Sequence, residues 1–142
     1  MLVKILRCRK NLNLPQYQHS GDSCVDLINA KKDVIIKPFS RELVPTGIKV
    51  AVPLGYELQI RPRSGLALKK GVTVLNTPGT IDAGYRGKVC VILYNSTDKN
   101  VSIKKGERIA QAALCKIEKI VWQEVKKLNK TKRDSGGFGS TG

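Results

Sequence analysis

The sequence contains few of the residues from which metal sites and membrane spans are built. There is one histidine, His19, and none of the four cysteines belongs to a Cys-x-x-Cys pair. Because a zinc site usually needs paired ligands at short spacing, we expect reduced and mostly buried thiols instead. The longest apolar stretch, from about Val89 to Tyr94, is far shorter than the roughly 20 residues that cross a membrane. The N-terminal residues lack the apolar run of a signal peptide, so we predict a cytoplasmic protein that does not bind membranes.

Acidic side chains are also scarce, which makes the protein strongly basic. Eleven Asp and Glu residues stand against 26 Lys and Arg residues, and the net charge is +15. Such a positive field attracts anions, including nucleotides and nucleic acids. No aromatic residues interleave with the lysines as they do in single-strand binders, so a nucleic-acid partner is not expected. A non-catalytic nucleic-acid binder remains the alternative that this charge motivates.

The dominant hydrophobic period is two, which predicts β-strands. Tyr56, Leu58 and Ile60 alternate with polar residues and so share one face of a strand. Further strands are predicted at Val34–Ile36, Val72–Leu75, Lys88–Tyr94, Val101–Ile103, Arg108–Ile117 and Ile120–Val125. One short helix is predicted near Ser64–Lys70. Many short strands separated by turn residues indicate an all-β sandwich or barrel.

The chain length fits one domain, followed by a distinct C-terminal segment. Residues 1–128 are predicted to form the β domain. Residues 129–142 are polar and glycine-rich and have no core-facing period. Composition alone favours a disordered end, whereas a functional interpretation makes the segment a flexible lid that orders on a ligand.

Two segments combine residue types that suit an anionic ligand. Arg63, Ser64 and Gly65 follow a predicted strand, and a guanidinium, a hydroxyl and free backbone N–H groups at such a turn suit a phosphate. A glycine-rich hairpin, residues 76–87, could read a base edge through its backbone. In that hairpin Tyr85 offers a flat surface and Asp82 a general base for water. A structural turn with surface arginines and a plain glycine-rich hairpin are the competing interpretations.

Three other residues are left open by the pattern alone. Asp26 lies between apolar residues and is either a buried capping acid or an indirect magnesium ligand. Arg108 and Gln111 are either phosphate contacts or residues of a strand edge.

Taken in order, these segments resemble the motifs of the homotrimeric dUTPase family over nearly the whole chain. The specific matches are Arg63-Ser64-Gly65, the hairpin sequence Gly79 to Gly87, Gly106 to Gln111, and Gly137 to Gly142. The resemblance implies a β-clip or jelly-roll barrel and a homotrimer with shared active sites. It also implies Mg²⁺-assisted hydrolysis of dUTP to dUMP and pyrophosphate, which limits uracil in DNA and supplies dUMP for thymidylate synthesis.

The resemblance also implies roles for individual residues. Asp82 would activate the water that attacks the α-phosphorus, and Tyr85 would lie under the deoxyribose. The uracil pocket would be formed by Asn76, Gly79, Thr80, Ile81, Asp82 and the Cys90 backbone. Phosphates would be bound by Arg63, Ser64, Gly65 and, from a neighbouring subunit's side, Gln111. Asp26 would hold the water shell of the magnesium ion.

The same resemblance implies roles for residues of the C-terminal tail. Arg133 would contact the γ-phosphate, and Phe138 would cover the uracil. Gly139 belongs to the same glycine-rich motif, in which Ser140 and Thr141 would bind phosphates.

Two positions depart from the family pattern. Ser23-Cys24 stands where Ala-Gly is expected, and Asp134 stands where a glycine is expected beside Arg133. A carboxylate at that position is placed to pair with Arg133 and weaken its phosphate contact. A related dCTP deaminase is the alternative enzyme, although the hairpin offers Asp82 as its one carboxylate.

Overall fold

The computed structural model of the protein describes residues 1–139, which form eleven strands and one helix. The strands are β1 (Lys4–Arg7), β2 (Val25–Ile28), β3 (Val34–Ile36), β4 (Arg41–Pro45), β5 (Ile48–Ala51), β6 (Tyr56–Arg61), β7 (Val72–Val74), β8 (Gly79–Ile81), β9 (Cys90–Asn95), β10 (Val101–Ile103) and β11 (Arg108–Lys116). The helix, α1 (Ser64–Lys70), ends at Gly71, whose left-handed conformation is typical of a helix C-terminus. The all-β prediction with one short helix is therefore confirmed.

The strands form four antiparallel sheets. The largest has the order β2-β11-β6-β8, and a three-stranded sheet has the order β4-β9-β7. Two pairs, β1 with β5 and β10 with β3, complete the fold. The arrangement is jelly-roll-like, as the resemblance implied, and the sheets of residues 1–139 do not join into a closed barrel.

Aliphatic side chains from facing strands form the core. Strand β9 shows the alternation clearly, because Val91 and Leu93 are buried between half-exposed neighbours. Two buried asparagines tie loops to this core. Asn29 donates to the carbonyls of Lys32, Ile103 and Lys104, and Asn95 donates to those of Ile36, Lys37 and Lys99. Each buried amide is therefore satisfied by backbone groups, as burial of a polar group requires.

The prediction of a strand at Ile120–Val125 is wrong. The segment has no regular structure, and Ile120, Val121 and Trp122 are 69%, 91% and 85% exposed. A β-rich composition yields a strand only where a partner strand and a buried face are available, and this segment has neither within residues 1–139. Conversely, β1, β2, β4, β5 and β8 were not predicted.

All four cysteines are free thiols, as expected, but the expectation that they are mostly buried is wrong, because Cys8 is exposed and the other three are partly exposed. Within the described residues, α1 is far too short to cross a membrane.

Candidate active site

The hairpin lines a cavity of about 320 Å³, which we call the hairpin pocket. Its floor is apolar and is formed by core residues such as Ile60 and Val91. Seven residues singled out from the sequence lie in its wall: Asn76, Gly79, Thr80, Ile81, Asp82, Tyr85 and Cys90. The structure therefore brings together the predicted base and sugar residues. An apolar cavity with a few polar groups at its edge suits a flat heterocycle.

Strand β8 positions one wall of this pocket. Gly79 and Ile81 pair with Ile60 and Leu58 of β6 and are buried, whereas Thr80 between them is exposed. A side chain at Gly79 would press against Asn76 Nδ2, at 3.3 Å, and against Ile60 Cβ, at 3.4 Å. The glycine thus lets the Asn76 amide lie close to the strand at the rim of the cavity.

The carboxylate of Asp82 is exposed at the edge of the hairpin pocket. The ion pairs within residues 1–139 do not include it. Its backbone carbonyl closes a turn by accepting from Tyr85 N, at 3.1 Å. The backbone of Asp82 is therefore fixed at the edge of the pocket, while its carboxylate oxygens stay available to accept a proton from water.

Burial raises the pKa of the Cys90 thiol above its ordinary value, and the nearby Lys88 charge opposes this effect. The thiol is thus neutral at physiological pH. It presents a small apolar surface to the hairpin pocket rather than a nucleophile.

A second cavity, of about 460 Å³, contains the other predicted contacts, and we call it the arginine pocket. Arg63, Ser64 and Gly65 lie at the start of α1, where the first backbone N–H groups have no acceptor within the helix. Gln111 also lines this pocket and donates to the Pro62 carbonyl, at 2.9 Å. Gln111 thus lies beside Ser64 and Gly65 of its own chain, not on a neighbouring subunit's side as expected.

Asp26 links two arginines in the arginine pocket. Its carboxylate binds Arg63 Nε at 2.7 Å and an Arg108 terminal nitrogen at 3.1 Å. The Asp26 side chain is 16% exposed, whereas that of Arg108 is half exposed. The two guanidinium groups are thereby directed toward the pocket, where their remaining N–H groups can bind an anion.

The two pockets lie apart in one chain and share no lining residue within residues 1–139. Asp26 is on β2 and Thr80 is on β8, the two edge strands of the largest sheet. Asp82 follows the residue paired with Leu58, whereas Ser64 lies beyond the opposite end of β6, at Arg61. A strand of this length spans about 17–20 Å. Asp82 and Ser64 are therefore separated by roughly the length of β6.

The described residues of the tail, 129–139, do not line either pocket. Arg133 donates from Nε to the Gly136 carbonyl at 2.8 Å, and Phe138 is fully exposed. The expected ion pair between Arg133 and Asp134 is not found among the described residues. Asp134 has a φ of 43°, a left-handed conformation that glycine adopts more easily. Gly139 is described, but Ser140 and Thr141 lie outside the described residues.

Several lining residues were missed from the sequence. Lys88 lines the hairpin pocket, and Gln18, His19 and Asp22 line the arginine pocket. Asp22 accepts from the backbone N–H groups of Gln18 and His19, at 3.0 and 2.9 Å, which folds this loop toward β2. The loop has no periodic pattern, so no signal in it indicated a place at the site.

Within residues 1–139, an all-β fold carries a base-sized pocket with a carboxylate outside any ion pair and a separate pocket of arginines, an arrangement that suits an enzyme acting on a nucleotide. The family model for dUTPase matches residues 10–142. A deoxyuridine 5'-triphosphate nucleotidohydrolase of Hydrogenobaculum sp. is 55% identical over 142 residues, which is 100% of this chain and 99% of the relative. One of Clostridium tetani is 51% identical over 140 residues, covering 99% of this chain and 96% of the relative.

A solved structure has the same fold. It is the G164S mutant of a Staphylococcus bacteriophage 80alpha dUTPase with dUpNHpp, which matches with a TM-score of 0.89 and 25% identity over 99% of this chain and 98% of that chain. The chain belongs to the dUTPase family, which confirms the resemblance of its sequence motifs. It is an enzyme of the dUTP diphosphatase class.

Proposed function

We propose that the protein hydrolyses dUTP to dUMP and pyrophosphate by attack of a water molecule on the α-phosphorus. The exposed, unpaired carboxylate of Asp82 beside Tyr85 in the hairpin pocket carries this proposal. Asp82 orients the water and accepts its proton, the water oxygen bonds to the α-phosphorus, and the bond to the pyrophosphate oxygen breaks. This removes dUTP before its uracil enters DNA and supplies dUMP for thymidylate synthesis.

The hairpin pocket binds the base and the sugar in this proposal. Asn76 and the backbone of β8 pair with the polar edge of uracil, and the apolar floor covers its ring. Cys90 contacts the base through its backbone, and Tyr85 lies under the deoxyribose. Fixing the nucleoside here places the α-phosphorus next to Asp82, so that the water reacts within a bound complex.

The arginine pocket binds the triphosphate. Arg63, Gln111 and the amides at the start of α1 neutralise charge on the phosphate oxygens, and Arg108 adds a second guanidinium. The tail, residues 129–142, then closes over the nucleotide, with Arg133 on the γ-phosphate and Phe138 over the uracil.

A magnesium ion fits this pocket only as a companion of the substrate. No group of three or more Cys, His, Asp or Glu side chains in residues 1–139 could hold a metal ion alone. Mg²⁺ instead binds through one or two carboxylates, several waters and substrate phosphates, and Asp26 and Asp22 line the pocket. When bound, the ion stabilises negative charge on the phosphate oxygens. Asp26 would hold its water shell.

We also propose that the active site is shared between subunits of a homotrimer. Asp82 and Ser64 lie near opposite ends of β6, whereas an α- and a γ-phosphorus are separated by only two P–O–P bridges. A complete site therefore needs the hairpin pocket of one chain and the arginine pocket of another. The exposed Ile120, Val121 and Trp122 provide apolar surface for contact between the chains.

The substitution Asp82→Asn tests the proposed mechanism. It keeps the size of the side chain but removes the proton acceptor, so we expect turnover of dUTP to fall by at least about 10²-fold, a typical loss for a general base. Nucleotide binding should persist. Pyrophosphate release from dUTP, dTTP, dCTP and UTP, with and without Mg²⁺, measures both activity and selectivity.

The matched control is Asp98→Asn, an exposed aspartate outside both pockets. It should leave pyrophosphate release unchanged. Near-normal turnover by the Asp82→Asn variant would exclude Asp82 as the base. Ammonia release from dCTP would point instead to a deaminase.

A further inference from the structure

The ring of Tyr85 is fixed by the residues that follow it. Its hydroxyl donates to the Lys88 carbonyl at 2.9 Å, and its backbone N–H bonds to the Asp82 carbonyl at 3.1 Å. The side chain nevertheless remains 45% exposed and lines the hairpin pocket. A half-exposed aromatic ring tethered at its far end is a rigid surface, because neither of its two χ angles is free to change.

Gly87 packs directly against this ring. A Cβ at this position would collide with the Tyr85 hydroxyl oxygen and would lie 2.5 Å from Cζ and 2.9 Å from Cε2. The backbone of Gly87 is not among the glycines with positive φ, so its conformation is open to any L-residue. The ring of Tyr85, rather than the backbone, therefore requires a glycine here.

Gly84, in the same turn, behaves differently. A Cβ there would meet no heavy atom within 4 Å, and its φ is also outside the positive region. The turn itself is closed by Arg86, which donates to the carbonyls of Ala83 and Tyr85 at 2.6 and 2.7 Å. The backbone path is thus fixed without the Tyr85 ring, so a methyl group at Gly87 would move the ring and not the turn.

We propose that Gly87, together with the Lys88 carbonyl, is a specificity-determining element that selects deoxyribonucleotides over ribonucleotides through Tyr85. The inference rests on the proposed function, in which the sugar lies on Tyr85. A ring that packs against Gly87 and is tethered to the Lys88 carbonyl cannot retreat, so a 2′-hydroxyl meets a fixed surface. A ring displaced by a side chain at position 87 breaks its tether and leaves room for that hydroxyl.

The test compares Gly87→Ala with Gly84→Ala. We expect Gly87→Ala to lower the ratio of kcat/KM for dUTP to that for UTP by about tenfold or more, within the discrimination of roughly 10²-fold that a single hydroxyl supports in other enzymes. The ratio of dissociation constants for UMP and dUMP, which needs no turnover, should fall in parallel. Gly84→Ala should keep the wild-type ratios, and thermal unfolding verifies that both variants fold.

A double-substitution cycle separates this role from a general structural one. If Gly87 acts through the ring, Gly87→Ala should have no further effect on selectivity in a Tyr85→Ala background. If Gly87→Ala does not fold, Tyr85→Phe provides the test. It removes the hydrogen bond from the Tyr85 hydroxyl to the Lys88 carbonyl and should also lower the selectivity for dUTP over UTP.

Wild-type selectivity in Gly87→Ala, or an equal loss in the Tyr85→Ala background, would overturn the inference. Wild-type protein that releases no pyrophosphate from dUTP would instead overturn the proposed function, and the UMP and dUMP affinities would still decide the role of Gly87.

Discussion

Asp26 binds two guanidinium groups at once, and this geometry gives the residue two tasks. Its oxygens lie 2.7 and 3.1 Å from nitrogens of Arg63 and Arg108, so the carboxylate holds both arginines in the pocket. The remaining lone pairs of the carboxylate can accept hydrogen bonds from water bound to a magnesium ion. Positioning of arginines and support of the ion are separable by experiment.

We expect Asp26→Asn to raise the Mg²⁺ concentration needed for half-maximal activity and to lower kcat/KM for dUTP. A hydrogen bond to a charged group contributes roughly 1.5–3 kcal/mol, which corresponds to about tenfold to a hundredfold in rate. Initial rates over a Mg²⁺ titration measure both quantities. A variant with weaker dUTP binding but an unchanged Mg²⁺ requirement would limit Asp26 to holding the arginines.

Some residues of the candidate site could be located from the sequence, and others could not. Asp82, Tyr85 and Asn76 lie in a motif of fixed order, and the structure brings them into one pocket. Their roles stay predictions. His19 and Asp22 were missed, because a loop residue is placed by long-range folding and not by a local period.

At the scale of elements, the turn that leads into β11 is tied to the loop before β3. Asp33 accepts from Lys105 N at 2.9 Å and from the Lys104 side chain at 2.9 Å. The hydrogen bond from Lys105 N, with that from the Lys104 ammonium, lowers the pKa of Asp33 below its ordinary value. The ionised form of Asp33 is thus stabilised in the folded protein.

This shift predicts a pH-dependent effect of Asp33→Asn. Because the pKa is lower in the folded state, the contribution of Asp33 to stability is present above its unfolded pKa, about 3.9, and is lost as the pH falls through the folded value. The variant should melt below the wild type at pH 7, and the difference should shrink progressively as the pH falls below about 4. Thermal unfolding between pH 3 and pH 7 measures this, with Asp98→Asn as the control. A difference that persists at low pH would contradict the assignment.

The strands were predictable where their pattern was strong and local. The bounds of β3 and β10 agree with the prediction, and β11 ends one residue earlier than expected, at Lys116. Two segments show what a local pattern lacks. Residues 4–7, two of four apolar, are exposed but form β1, since β5 offers a partner, whereas residues 120–125, four of six apolar, form no strand. The partner is distant in sequence, so the local pattern carries no information about it.

At the scale of the whole molecule, the net charge of +15 gives the protein a positive field that attracts an anion such as a triphosphate. The homotrimer, the closing tail and the cytoplasmic location stay predictions. The trimer can be tested by complementation, because the proposal places the two pockets of one active site on different chains.

We expect trimers that contain two different inactive variants to be active, although neither variant is active alone. Asp82→Asn inactivates the hairpin pocket, and Arg63→Ala inactivates the arginine pocket. A trimer that contains both variants has two chains of one and one of the other, so one of its three shared sites combines an intact hairpin pocket with an intact arginine pocket. Co-expression with two affinity tags, followed by pyrophosphate release from the purified mixed trimers, measures this. Mixed trimers as inactive as the single variants would show that each site lies within one chain.

In the proposed trimer, a single chain has both components of a site near opposite ends of β6 but cannot combine them. A subunit of that trimer would have no activity before assembly, so total activity would rise more steeply than protein concentration at low protein levels. The length of one strand would then give the enzyme a threshold concentration for activity.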